Sequence, residues 1–210
     1  MDTIIQLINT NGGPIVWLLI ILSITAMALS LLKFWLLKYD LNNQNDIAQI
    51  LACISKGAFA QAISYVEPAK STRLQLLKFG LENLVQDELS REQFEPELWR
   101  LAKRKVLDMS SYLRPLEIIA NTAPLLGLLG TVLGMIEAFQ AMENAGRNID
   151  PSILSGGIWK ALLTTAVGLV VAIPVSIIHA WFERKIEVIT TKIEDDLQQF
   201  LNKITLQQAT

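Results

Sequence analysis

The stretch IIANTAPLLGLLGTVLGMI, residues 118–136, decides the fold, because it is 19 residues without a charge held between Glu117 and Glu137. As a helix rising 1.5 Å per residue it would span about 28 Å, close to the hydrocarbon thickness of a bilayer. A second such run, Ala161 to Phe182, lies between Lys160 and Glu183 and would span about 33 Å. Upstream, Asp2 is the one charge in the first 32 residues, and PIVWLLIILSITAMALSLL (14–32) is almost wholly apolar before Lys33 and Lys38. The pattern predicts an all-α membrane protein with three transmembrane helices, at 14–37, 114–141 and 157–182. The first has neither a basic start nor a small-residue cleavage site, so it is expected to remain as a span rather than be removed as a signal peptide.

Composition agrees. The 210 residues are 51% hydrophobic and 18% charged, with a mean hydropathy of +0.38. A net charge of −2 and a pI near 5.5 leave no basic footprint, so nucleic acid is not an expected partner. One cysteine, Cys53, and one histidine, His179, can make neither an internal disulfide nor a closed zinc site. No phosphate-cradling loop, G-x-S-x-G or H-E-x-x-H pattern occurs, so nothing points to an enzyme, and neither a metal nor an organic cofactor is expected.

Lys and Arg are distributed asymmetrically. Sixteen of the 18 fall between Lys33 and Arg114 or after residue 183; the other side keeps Arg147, with Lys160 at its border. The positive-inside bias therefore predicts an N-terminus on the outer side (1–13), a cytoplasmic helical domain (38–113), a loop on the outer side (142–156), periplasmic in a bacterial inner membrane, and a cytoplasmic C-terminal helix (183–210). Within the cytoplasmic domain, Asp46 can cap a helix carrying Ile47, Ile50, Leu51 and Ile54, with Gly57 ending it before a run of Phe59, Ala62, Ile63 and Val66. Ser90 and Gln93 fit a capping box. Leu98, Ala102, Val106, Met109 and Leu113 then recur at helical spacing, predicting one long rod into the second span, although Pro96 blurs its start. After the third span, Phe182, Ile186, Ile189, Ile193, Leu197, Leu201 and Ile204 continue the helical pattern, and that stripe needs a partner.

Small residues sort onto faces of the second and third spans. Ala123, Gly127, Thr131, Gly134 and Ala138 form one stripe with Gly130-x-x-x-Gly134 beside it; Ala161, Thr165, Gly168, Ala172, Ser176 and Ala180 form the other. In lipid such stripes let backbones approach, and helix packing alone accounts for the glycines. Thr122, Thr131, Thr164 and Thr165 add hydroxyls. Thr131 lies six residues from Glu137 and Thr165 five from Lys160, so the two share a depth about 8–9 Å below the outer charges. A hydroxyl in a helix commonly bonds back to its own chain, but a matched layer of them favours a polar lining of an ion pathway. Pro174 frees the carbonyl of Val170 and should bend the third span, which packing and a widened pore explain equally well.

NTAPLLGLLGTVLGMIEAF (121–139) and SGGIWKALLTTAVGLVVAIP (155–174) resemble the two signature spans of the ExbB/TolQ/MotA family of ion-driven motor subunits. Three spans, with a cytoplasmic domain after the first, resemble the ExbB/TolQ branch. The resemblance implies a homopentamer in a bacterial inner membrane, enclosing a dimer of a single-span partner of the ExbD/TolR type. It implies proton motive force coupled to work on a periplasm-spanning protein of the TonB or TolA type. No ionisable side chain lies between Glu117 and Glu137, or between Lys160 and His179, so this chain cannot relay a proton alone. In the family an aspartate on the partner's span faces threonines that match Thr131 and Thr165, which would stabilise its carboxylate. With the ligand supplied by the partner, H⁺ is the expected ion and Na⁺ stays open.

One residue departs from the pattern. Lys160 stands where the ExbB/TolQ branch generally has a glutamate. It can snorkel to the headgroups on its four-carbon stem, or pair with Glu137 or the partner's aspartate as a charge switch. A second reading follows: a membrane scaffold with the same ring architecture that conducts nothing.

Overall fold

The computed structural model describes residues 13–38, 40, 44–55, 57–66, 71–86, 91–145 and 151–208. Among them are seven helices and no strand: α1 Gly13–Leu37, α2 Gln44–Ser55, α3 Phe59–Val66, α4 Thr72–Gln86, α5 Arg91–Ser110, α6 Leu113–Ala145 and α7 Pro151–Gln208. Three stretches are long and apolar enough to cross a membrane, and they contain the three predicted spans. The chain divides into two compact units. The first comprises Met1–Leu32 with Tyr112–Trp181, the second Lys33–Ser111 with Phe182–Thr210.

In the first unit, Leu19 of α1 packs with Ala123 of α6 and Val171 and Ala172 of α7. Of the predicted loop at 142–156, residues 142–145 belong to α6 and 151–156 to α7, and 146–150 lie outside the described residues. Proline suits a first helical position, where its missing amide hydrogen would have no partner in any case. The helical assignment continues through Pro124 and Pro174, and the third span and the C-terminal helix form one helix of 58 residues.

The second unit is built by packing amphipathic faces. In α2, Ile47, Ile50, Leu51 and Ile54 are buried. The helix begins at Gln44, so Asp46 lies within its first turn rather than ahead of it. Gly57 ends it at φ 71°, its amide donating to the Ile54 carbonyl at 3.0 Å. This is the left-handed position that glycine fills without strain. α3 buries Ala62 and Val66. Ser90 of the expected capping box lies outside the described residues, and α5 runs through Pro96.

α4 was not expected from the pattern, and it is the central helix of this unit, burying Leu74, Leu76, Leu77 and Leu81. Asp40 caps it from a distance: Oδ1 accepts the Thr72 amide at 2.5 Å and Oδ2 the Thr72 hydroxyl at 3.2 Å. Burial pushes the Asp40 carboxyl above its usual range, while the Thr72 donors pull it back. Arg73 makes a bidentate pair with Asp196 of α7, 2.6 and 2.9 Å, with both side chains 8% exposed. Burial raises the Asp196 carboxyl and the guanidinium opposes the rise. These helices are the partner that the stripe on α7 needs. Phe200 rather than Leu201 is its buried member at that turn, because Gly80 of α4 leaves room for the Phe200 ring, which a Cβ there would approach to 2.6 Å.

The predicted rod into the second span is interrupted. α5 ends at Ser110 and α6 begins at Leu113, with Tyr112 between them at φ 67°. Pro115 explains the break: in a continuous helix it would withhold an amide from the Ser111 carbonyl and clash with it, whereas the first turn of a new helix accepts it.

Candidate functional site in the paired spans

α6 and α7 pair antiparallel through residues with little or no side chain. A Cβ on Gly157 would meet Ala138 Cβ at 2.4 Å, and one on Gly134 would meet Ala161 Cβ at 3.0 Å. On Gly130 it would meet Thr164 Oγ1 at 2.4 Å, and on Gly168 the Ala123 carbonyl oxygen at 2.7 Å. The touching residues thus include 123, 127, 130, 134 and 138 on one helix and 157, 161, 164, 165 and 168 on the other. Gly130 rather than Thr131 faces the other helix at that turn, against Thr164, because backbone approach needs a residue without a Cβ opposite the threonine, while Thr165 lies against Gly127. Ser176 and Ala180, expected on the same stripe, are exposed. Gly157 was missed, although it continues the four-residue step back from Ala161.

The hydroxyl hydrogens are committed to carbonyls. Thr122 donates to the Ile118 carbonyl at 2.8 Å and Thr131 to that of Leu128 at 2.6 Å. Thr164, buried between the helices, donates to Ala161 O at 2.7 Å. Thr165 reaches across and donates to Gly127 O at 2.9 Å. The structure therefore brings Thr164 and Thr165 together at Gly127, while Thr122 and Thr131 bond within their own helix. Thr122, Thr131 and Thr165 are half-buried. With its hydrogen engaged, each hydroxyl keeps lone pairs that can accept a hydrogen bond.

At the far end of the pair, Lys160 Nζ lies 3.3 Å from Glu137 Oε2. Pro174 is exposed on α7. No cluster of His, Cys, Asp or Glu able to hold a metal ion occurs among the described residues.

The paired spans and α4, α5 and the first half of the C-terminal helix all fall within residues 69–195, which match the profile of the MotA/TolQ/ExbB proton channel family. The chain belongs to that family. Its similarity within the MotA/TolQ/ExbB family runs to the ExbB branch. The chain is 28% identical over 206 residues to an ExbB homologue of biopolymer transport from Methanothermobacter thermautotrophicus, a match covering 92% of this chain and 70% of that protein. It is 31% identical over 165 residues to an ExbB-like biopolymer transport protein of Synechocystis, covering 78% of this chain and 64% of the relative. It is 42% identical over 79 residues to an ExbB biopolymer transport protein of Vibrio cholerae, covering 36% and 35%. The chain thus spans from about a third to somewhat over two thirds of the length of these relatives. Membership and the three apolar helices make it a multi-pass membrane protein, and the names of its relatives point to transport rather than catalysis.

Proposed function

We propose that this chain is the ring-forming subunit of a proton-driven motor of the ExbB/TolQ kind. In this reading it assembles as a homopentamer in a bacterial inner membrane, with its N-terminus outside and the Lys- and Arg-rich segments in the cytoplasm. It encloses a single-span partner of the ExbD/TolR type and works on a TonB- or TolA-like protein. The observation that carries the reading is a closely packed pair of spans that holds hydroxyls and carbonyls but no titratable side chain from 118 to 136 or from 161 to 178. Such a pathway is inert until an acid enters it.

The hydrogen bonds of the threonines support a role other than stabilising a carboxylate. Hydroxyls whose hydrogens are spent on carbonyls accept from a protonated carboxyl and repel a carboxylate, so they favour the neutral acid and raise its pKa. Thr131 and Thr165 would then be the places where the partner's acid is held in its protonated form, ready to lose the proton on the other side. Thr165→Val keeps the shape and removes the acceptor. Proton-driven work should fall at least tenfold in Thr165→Val and Thr131→Val, while the oligomer purifies intact with its partner. Full activity in both variants refutes the role.

The Lys160–Glu137 pair favours the second reading, a ring of this architecture that conducts nothing, since it neutralises the charge at that end of the spans. Proton flux through the complex with its partner separates the two: conduction excludes the scaffold.

A further inference from the structure

Lys33 is the residue that this reading leaves unused. It is 1% exposed, the largest of the fully buried side chains, although lysine is almost never fully buried without a partner. Its ammonium donates to the Ser111 carbonyl at 2.8 Å and to the carbonyl of Met109. These acceptors are backbone groups at the end of α5, not a carboxylate. In an uninterrupted helix the two carbonyls would receive the amides of residues 113 and 115, but residue 115 is proline and has no hydrogen to give. A helix C-terminus also carries the negative end of the helix dipole, so a cation there is favoured twice.

We infer that Lys33 is a positioning residue that pins the joint between α5 and α6. The apolar pattern from Leu98 to Leu113 favours a continuous rod, whereas Pro115 favours a break, and Tyr112 takes a left-handed conformation to make it. Opening the rod leaves two carbonyls without those amides, that of Met109 on a buried residue and that of Ser111 on an exposed one, and a buried polar group left unsatisfied is costly. The ammonium from the last turns of α1 satisfies both and so selects the broken form. The end of α1 thereby fixes where α5 stops, and a shift of that turn would release both carbonyls at once. This inference is independent of whether the assembled protein conducts protons.

A double-mutant cycle between Lys33 and Pro115 tests it on the full-length chain in detergent, read by the thermal midpoint and by far-UV circular dichroism. Lys33→Met keeps length and apolar bulk without the donors. It is expected to lower the midpoint in the parental chain. In Pro115→Ala, residue 115 regains its amide and the helix can close through 111–112, so the same Lys33→Met change should cost much less and helical content should rise. A Lys33→Met chain that assembles only in the Pro115→Ala background supports the same conclusion. Equal losses in both backgrounds, no loss in the parental chain, or failure to assemble in either overturns the inference.

Discussion

Tyr112 shows how a single backbone angle records a conflict between two sequence signals. Hydrophobic spacing from Leu98 to Leu113 says helix; Pro115 says stop. The chain resolves it by placing a non-glycine residue at φ 67°, where an L side chain is strained and glycine is not. Tyr112 is 44% exposed, so little packing is lost with its ring. Tyr112→Gly should stabilise the protein by about 1 kcal/mol, seen as a higher thermal midpoint; a lower one would mean that the ring, not the angle, matters. At this scale the sequence was partly legible. The threonines could be placed within the membrane by counting from Glu137 and Lys160, but the direction of each hydroxyl hydrogen depends on which carbonyl a neighbouring helix brings near. For Thr165 that is Gly127 O, and no spacing rule contains it. Lys33 was read as the charge that closes the first span, because burial against a distant helix end leaves no mark in local sequence.

Helices were the most legible level where their periodicity was long. The first span, the paired spans and the stripe on α7 all follow from charge-free runs and repeats of three and four. α4 escaped because its polar residues, including Arg73 and Asn83, are themselves buried, so its pattern does not separate an apolar from a polar face. The glycines of the paired spans offer an internal comparison. A Cβ on Gly168 would press on the Ala123 carbonyl oxygen and Gly127 Cα, at 2.7 and 3.1 Å, both backbone, whereas one on Gly156 meets nothing within 4 Å. Gly168→Ala should therefore force the helices apart, costing about 1–3 kcal/mol as overpacking does. Gly156→Ala should leave the isolated chain's stability unchanged or slightly improved by helix propensity. Midpoints of the two variants measured side by side check this, and equal effects would contradict the close backbone packing.

For the molecule as a whole, composition and family membership agree on a membrane protein of the MotA/TolQ/ExbB kind, while the buried ion pair of the second unit was invisible to sequence because its members are 123 residues apart. Removing Arg73 alone strands a buried carboxylate, so Arg73→Met should destabilise by about 3–5 kcal/mol. The sign of its pH dependence follows from Asp196, whose carboxyl is already held above the ordinary 3.8 by burial and loses its opposing cation in the variant. A carboxyl raised in the folded state stabilises fully below its unfolded value, and that contribution is lost as pH rises through the raised value. Chemical denaturation of Arg73→Met should thus show a smaller deficit near pH 4 than at neutrality. The central claim, that the ring has no proton path until a partner inserts an acid, is tested most directly by proton flux into lipid vesicles under an imposed gradient, with and without a single-span, carboxylate-bearing partner. The chain alone should be as tight as empty vesicles and should conduct once the partner is present; proton flux through the chain by itself would contradict the account.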